Sequence, residues 1–273
     1  MTQMMKTVED VRAFWDANPL LTGELEELAG TEAWFRAFDR IKNDLFAGDL
    51  SDWVPSDLGG KKMLDIGCGP GYWNRIFGKM NVEYHGIDIS PRSVGMAERS
   101  REIFGLRGDL RVGNAERLDF ADGTFDFVLS EGVIHHTPDT EACVREIFRV
   151  LKKGGTARVG LYYKSAVLRS PVLFGSCLWV MRLLKVGLKG RGREKMAAAS
   201  SPEEFVRIYD GADNPIGKAY TRGELRKMFG SFSRIEMSRY YFPQRALPVR
   251  MPRFFQKVLN SLFGTMILVK LQK

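Results

Sequence analysis

The residues best suited to hold a small ligand lie together in one short run, Met63-Leu64-Asp65-Ile66-Gly67-Cys68-Gly69-Pro70-Gly71. A glycine-rich turn after a first strand lets a ligand approach the backbone closely and leads into a helix N-terminus. The spacing is G-x-G-x-G. Tyr72 stands where the dinucleotide fingerprint G-x-G-x-x-G needs its third glycine. Asp65, at the strand end before the first glycine, would repel a pyrophosphate and suits a ligand carrying an ammonium group. A second run, Gly86-Ile87-Asp88, brings an acid 23 positions after Asp65. An acid at the end of a second strand can accept hydrogen bonds from both ribose hydroxyls.

A ligand with a ribose, an adenine, an ammonium group and no phosphate is S-adenosylmethionine (SAM). The stretches LDIGCGPG, GIDIS, GNAERLDFADGTFDFVLSEGVIHH and EIFRVLKKGG follow one another in this order. Over about residues 61–164 the chain resembles the class I SAM-dependent methyltransferases, in the ubiquinone/menaquinone-methylase-like (methyltransferase type 11) subgroup. The resemblance implies an α/β, Rossmann-like fold: a seven-stranded, mostly parallel sheet with an antiparallel last strand, plus a helical cap and insertion. It implies SAM as cofactor, with S-adenosylhomocysteine as product. Asp65 and the backbone of Gly67, Cys68, Gly69 and Gly71 would hold the methionine end. Asp88 would take the ribose, and Ile89 would pack on the adenine. Asn114-Ala115-Glu116 stands where the family more often has Asp-Ala, and Asn114 can still meet the adenine amino group through its side-chain oxygen. Ser130 and Glu131, at the end of a fourth strand, would face the cofactor.

Other residues invite chemistry but have plainer readings. Cys68 is a thiol inside the turn, or simply a small residue filling it. His135 and His136 follow the fourth strand, at the edge where open α/β sheets bind ligands. One of them is a candidate general base; the alternative is a brace for the loop before Pro138. Tyr162 and Tyr163 follow the fifth strand, where some sugar-methylating relatives carry an acid that partners the histidine. Two tyrosines put a His–acid pair in doubt here. Neighbours on a strand point oppositely, so at most one faces a pocket. Tyr163 is taken as the catalytic candidate and Tyr162 as pocket wall. Phe14 and Trp15 are a lid over the cofactor or ordinary helix packing, and Trp179 is core or pocket wall. Asp213-Asn214-Pro215 is a turn. No metal site is expected.

The elements that must position these groups read as follows. Residues 1–60 are a helical cap: Thr7 is a plausible N-cap, Pro19 stops the first helix, and an apolar helical pattern covers 25–46. Residues 61–164 alternate strands (62–66, 82–89, 110–113, 125–130, 156–163) with helices, the pattern of a mostly parallel sheet. Residues 152–155 form the turn before the fifth strand. Residues 165–215 break the alternation and read as a substrate-lid insertion, with a mobile Gly- and Lys/Arg-rich loop near 187–201. Residues 216–273 complete the sheet: Thr221 and Glu224 form a capping box, and strands are expected at 234–242 and 265–271.

Composition narrows the function class. The 273 residues are 44% apolar and 27% charged, which is globular. Three scattered cysteines suggest neither a disulfide framework nor a zinc site, and hence a reducing compartment. The start MTQMMKTVEDV has no apolar h-region, so no signal peptide is expected and a cytoplasmic site is. The net +8 is uneven: 17 Lys+Arg face 26 Asp+Glu in residues 1–150, and 24 face 7 in residues 151–273. The basic half would favour an acidic carrier protein or the inner face of an anionic membrane, or it complements the acidic half internally. The expected activity is O- or C-methylation of a small hydrophobic or aromatic metabolite such as a quinone, polyketide or lipid-like compound. The alternatives are nucleic-acid (tRNA/rRNA) methylation and a non-catalytic SAM-binding protein. Strand four ends in Ser-Glu-Gly-Val-Ile-His-His rather than an Asn-Pro-Pro-aromatic signature, which speaks against nucleic acid.

Overall fold

The structure is a computed structural model that describes residues 6–184, 190–242 and 252–273. Residues 187–189 of the expected mobile loop lie outside it. The sheet is built from β1 (Lys62–Ile66), β2 (Glu83–Asp88), β3 (Asp109–Val112), β4 (Phe125–Glu131), β5 (Leu151–Tyr163), β7 (Arg234–Tyr240) and β8 (Met266–Gln272). Their order is β3-β2-β1-β4-β5-β8-β7. An eighth, two-residue strand, β6 (Ala219–Tyr220), pairs with β5. β1, β2, β3, β4 and β5 run parallel, while β8 is antiparallel to both β5 and β7. The strand order reverses at β1, between β2 and β4. A crevice at the carboxyl ends of strands flanking such a switch is where α/β sheets bind ligands.

Side chains alternate across the sheet and feed two cores. On one face Met63, Phe127, Leu129 and Tyr162 pack with Trp34, Phe38, Trp53 and Trp73. On the other, Leu64, Ile66, Val128 and Leu161 pack with Ile147, Leu225 and Phe229. The first core carries α2 (Glu32–Leu45), α3 (Tyr72–Phe77) and α4 (Pro91–Ile103), and the N-terminal helix α1 (Val8–Ala17) lies against α4. The second carries α5 (Thr140–Val150) and α9 (Arg222–Met228). The insertion supplies α6 (Ala166–Arg169), α7 (Pro171–Leu184) and α8 (Pro202–Ile208), and α10 (Arg253–Phe263) precedes the last strand.

Caps set several boundaries. Thr7 caps α1 in a capping box closed by Asp10, and Thr221 does the same for α9 with Glu224. The helix expected over 25–46 starts only at Glu32, where Thr31 accepts from Trp34 N. Before it, Gly23 and Gly30 hold positive φ angles that interrupt any helix. The turn expected at 152–155 is absorbed into β5 as an irregularity opposite Phe125 and Phe127, with Gly154 at φ +78°. The helices α8 and α10 and the strand β6 were not anticipated. Part of the charge asymmetry is internal: Lys152 pairs with Asp126, Lys257 with Asp49, Lys270 with Asp52, and both Arg191 and Arg193 with Glu24.

Candidate functional site

A cavity of about 230 Å³ opens at the switch point and has two unlike walls. The first is backbone from the strand ends: Gly67 and Gly69 after β1, Asp88 and Ile89 after β2, Gly113, Asn114 and Ala115 after β3, Glu131 and Gly132 after β4. Gly67 sits at φ +77°, and a Cβ there would come within 2.2 Å of Val133 Cγ2. Only glycine fits both the conformation and the space. Gly71, at φ +81°, does not line the cavity but is the N-cap of α3.

Asp88 is tied into this wall: Oδ2 accepts from Gly69 N at 2.9 Å and Oδ1 from Ser90 N at 2.9 Å. Burial pushes its carboxyl up to about 6, against those backbone bonds. Asp65 lies behind the wall, fully buried. One oxygen accepts from Tyr84 Oη at 2.6 Å; the other, Oδ1, has no hydrogen-bond partner among the described residues. Burial pushes Asp65 up to about 7, and the nearby Glu131 and Asp88 add to that. An unpartnered buried carboxylate oxygen calls for a cation or a proton. The donors and charges on this side fit a cationic, ribose-bearing group such as SAM.

The second wall is built of side chains. Lys42 of α2 enters the cavity and makes a buried ion pair with Glu131, its ammonium lying 5.5 Å from the ring centres of Phe46 and Tyr72. Trp15 of α1 lines the cavity, its ring 5.2 Å from His136. Asp16 ties α1 to the start of α4, accepting from Ser90 Oγ at 2.9 Å and Arg92 N at 2.8 Å. Glu24 is clamped by Arg191 (3.1 Å) and Arg193 (2.7 Å), and all three line the cavity. Tyr209, Tyr240, Tyr241 and Met266 complete this side.

The histidine pair resolves into two roles. His136, in the 3-10 turn Ile134–His136, lines the cavity. Its Nδ1 faces Ile216 O at 2.6 Å and its Nε2 faces Asp210 Oδ2 at 3.2 Å. Tyr162 Oη donates to the same Asp210 oxygen at 2.5 Å. Burial disfavours the Asp210 charge, but the His136 and Tyr162 bonds outweigh it and hold the carboxyl below its usual range. Burial first, then Asp210, pushes the Tyr162 phenol well up, so it stays a donor. The His–acid pair that two tyrosines put in doubt is therefore present, with its acid drawn from the insertion.

His135 corrects the expectation of a base at either position. It is fully buried, neither ring nitrogen has a hydrogen-bond partner among the described residues, and its ring centre is 4.2 Å from those of both His136 and Tyr162. Burial, then the neighbouring His136 and Lys218, push its pKa well below the usual imidazole range. It is a neutral brace.

Other expected residues also fall elsewhere. Tyr163 points away from the cavity, onto the second core, with the Arg239 guanidinium 5.7 Å from its ring centre. Tyr162 is the tyrosine that faces the site. Trp179 is 63% exposed on α7 and forms no part of the wall. Phe14 does not line the cavity and packs edge-on against Trp15 at 5.2 Å. Glu116 turns outward and accepts from Asp139 N at 2.7 Å, tying down the start of α5. Asn114 reaches the cavity, but its Oδ1 already accepts from Glu116 N at 2.9 Å. Cys68 is buried with its thiol pushed well up, which suits a filler rather than a nucleophile. Ser130 is buried, and its hydroxyl has no hydrogen-bond partner among the described residues.

Sequence reasoning missed Asp210, Lys42, Glu24 and Arg191. Lys42 alone carried a signal: it interrupts the apolar stripe of α2 between Ile41 and Leu45.

Comparison with known proteins agrees with the first wall. Residues 64–159 match the methyltransferase-domain family. A ubiquinone biosynthesis O-methyltransferase of Cereibacter sphaeroides is 35% identical over 146 residues, 52% of this chain and 56% of the relative. A phosphoethanolamine N-methyltransferase of Caenorhabditis elegans is 37% identical over 107 residues, 38% of this chain and 24% of the relative. The chain thus spans about half the length of the first of these curated relatives and a quarter of the second. Among solved structures, a methyltransferase of Haloferax volcanii in complex with the activator Trm112 superposes with a TM-score of 0.55 at 19% identity, covering 88% of this chain and 96% of that one. The cyclase SpnF superposes with a TM-score of 0.57 at 17% identity over 99% of this chain and 97% of its own. These likenesses are of fold, and the second shows that the fold by itself does not dictate methyl transfer. Over residues 64–159 the chain is similar to class I methyltransferase domains of the type 11 kind, a family whose methyl donor is S-adenosylmethionine.

Proposed function

We propose that this protein transfers a methyl group from SAM to a hydroxyl of a small, largely apolar or aromatic acceptor, of the quinone, polyketide or lipid-like class. The observation that carries this reading is one cavity joining the glycine-loop wall to the Asp210–His136–Tyr162 network. When bound, SAM supplies an electrophilic methyl group on a sulfonium. Asp65, Asp88 and the Gly67–Gly69 backbone would hold it, with Ile89 and Asn114 beside the base. In this reading residues 1–60 and 165–215 are the acceptor-side cap and lid around the core.

The residues of the chain divide the remaining work. Leu20, Leu21, Ile41 and Leu45 give the acceptor an apolar seat, and Trp15 excludes water. Asp210, which lines the cavity, takes the hydroxyl proton; His136, whose two nitrogens already face the Ile216 carbonyl and Asp210, and Tyr162 hold its carboxylate in place. Removing that proton makes oxygen the favoured acceptor atom over carbon. A roofed cavity of this size suits a small molecule better than a nucleic-acid strand. The name of the Cereibacter relative points the same way. We also propose that the basic C-terminal half meets an anionic surface, a membrane or an acidic carrier. Among the described residues no helix is long and apolar enough to cross a membrane.

The test is a transfer assay with radiolabelled SAM against a panel of phenols, catechols and prenylated quinols. Turnover of at least one hydroxyl acceptor, lost in Asp210→Asn, is expected. Transfer only to amines, or none to any acceptor while SAM binds, would overturn the reading.

A further inference from the structure

The helix α10 is built inside out. Its buried side chains are polar: Gln256 donates to Asp44 O at 2.6 Å, and Asn260 Oδ1 accepts from Phe242 N at 2.7 Å. Its apolar side chains face solvent, with Phe254 72% exposed and Phe255, Val258, Leu262 and Phe263 exposed beside it. The helix α7 adds a second apolar stripe. Phe174 and Leu178 are buried, while Val172, Trp179, Val180, Leu183 and Leu184 are exposed. Soluble surfaces rarely keep contiguous apolar faces without an occupant.

We infer that α7 and α10 together dock this protein on an anionic lipid bilayer. The proposal rests on the reading that the basic half meets an anionic surface, and names the surface and the partner. Charge complementarity selects the occupant. Residues 164–193 contain seven Lys+Arg and no Asp or Glu, and residues 237–273 contain the same numbers. Some of these cations are spoken for, as Lys257 is by Asp49 and Arg191 by Glu24. Arg169 and Arg182, on α6 and α7, stay exposed at the apolar stripe. A second copy seated here would bring like charge to like, whereas anionic headgroups complement it. Trp179 and Phe254, set among arginine and lysine, are the side chains of an interfacial helix. At 14 and 11 residues the helices span about 21 and 17 Å, short of a ~30 Å hydrocarbon core, so they lie on the bilayer.

Their position gives the contact a use. The helix α6 begins three residues after β5 ends, and α10 ends three residues before β8 begins. Tyr163 N donates to Thr265 O at 2.9 Å, joining the two exits. Both helical segments therefore leave the sheet at the edge where Tyr162 and Met266 line the cavity. An acceptor dissolved in the bilayer would meet the site at that edge.

Co-sedimentation of the full chain with phosphatidylcholine vesicles, with and without 30% phosphatidylglycerol, tests this at low and high salt. Two variants accompany it, Phe254→Ser/Phe255→Ser on α10 and Trp179→Ser/Leu183→Ser on α7, each checked by circular dichroism and by SAM affinity. All four positions are exposed, and the two pairs act independently. Binding to the anionic vesicles, weakened by salt and at least tenfold weaker in either variant, is expected. Equal binding by wild type and both variants would overturn the docking surface and leave the anionic-surface reading standing. No vesicle binding by the wild type would overturn the docking surface and the membrane arm of the anionic-surface reading. A wild-type dimer that ignores vesicles and dissociates in the variants would assign the face to a second copy instead. None of these outcomes touches the methyl-transfer reading, which the acceptor assay tests alone.

Discussion

The two walls of the cavity are made by opposite means. The cofactor wall comes from four short runs at strand ends, each placed by backbone geometry within a few residues: the positive φ of Gly67 and Gly69, the ladder between β1 and β2, and the Asp88 carboxylate bonded to Gly69 and Ser90. The acceptor wall comes from side chains far apart in the chain, Trp15, Lys42, Tyr162, Arg191 and Asp210, placed by tertiary contacts. A wall of local backbone is hard to alter without losing the fold. A wall of distant side chains can change one residue at a time. The difference teaches where binding of the common cofactor and choice of acceptor reside, and it predicts that the two can be broken separately.

The largest break should fall on the acceptor wall. Asp210→Asn keeps the shape but removes the charge beside His136, and kcat should fall about 10²- to 10⁴-fold. The SAM Kd, read by calorimetry, should stay within about twofold. A parallel loss of SAM affinity would show that the walls are not separable.

The cofactor wall should answer to pH. Asp65 is pushed up to about 7 by burial, so without ligand it holds its proton near neutrality. A cationic ligand needs the carboxylate. SAM affinity should therefore rise as pH rises through about 7, and fall below it. The sign reverses for stability: the folded state binds the proton more tightly than the unfolded chain does, so the ligand-free protein should lose stability as pH rises from about 4 to about 7. Asp65→Asn should shrink both profiles, leaving only the share of Asp88, which burial pushes up to about 6, checked by calorimetry and by Tm against pH. Profiles unchanged by the substitution would remove Asp65 from the account.

A smaller effect is expected where cap and insertion meet. Glu24→Gln leaves Arg191 and Arg193 without their carboxylate in a largely buried place. Acceptor KM should rise a few-fold, with a Tm loss equivalent to about 1–3 kcal/mol and no change in SAM Kd. A change confined to SAM binding would mean that Glu24 belongs to the other wall.

The same contrast explains what could be read from the sequence. The glycine turn, the placing of Asp65 and Asp88 at strand ends, and the succession of strands and helices were legible because their constraints are local: a positive φ, an acid at a strand end, an alternation of strands and helices. His135 and His136 were not separable. The choice between them is made by the Ile216 carbonyl and by Asp210, from a segment some 75 residues later in the chain. Alternation showed that only one of Tyr162 and Tyr163 faces the cavity, but which one depends on the register with β8. The helix α10 escaped notice because its buried face carries Gln256 and Asn260, so its apolar period marks the outside. Glu116 was misread because its motif neighbour Asn114 reaches the cavity, while its own carboxylate is taken by Asp139 N.

The most direct test of the two-wall account is one set of calorimetric titrations of SAM into wild type, Asp88→Ala and Asp210→Asn at pH 8. The account predicts that the wild type binds, that Asp88→Ala weakens Kd by tenfold or more, and that Asp210→Asn matches the wild type within about twofold. Equal losses in the two variants, or a wild-type affinity that Asp88→Ala leaves untouched, would contradict it.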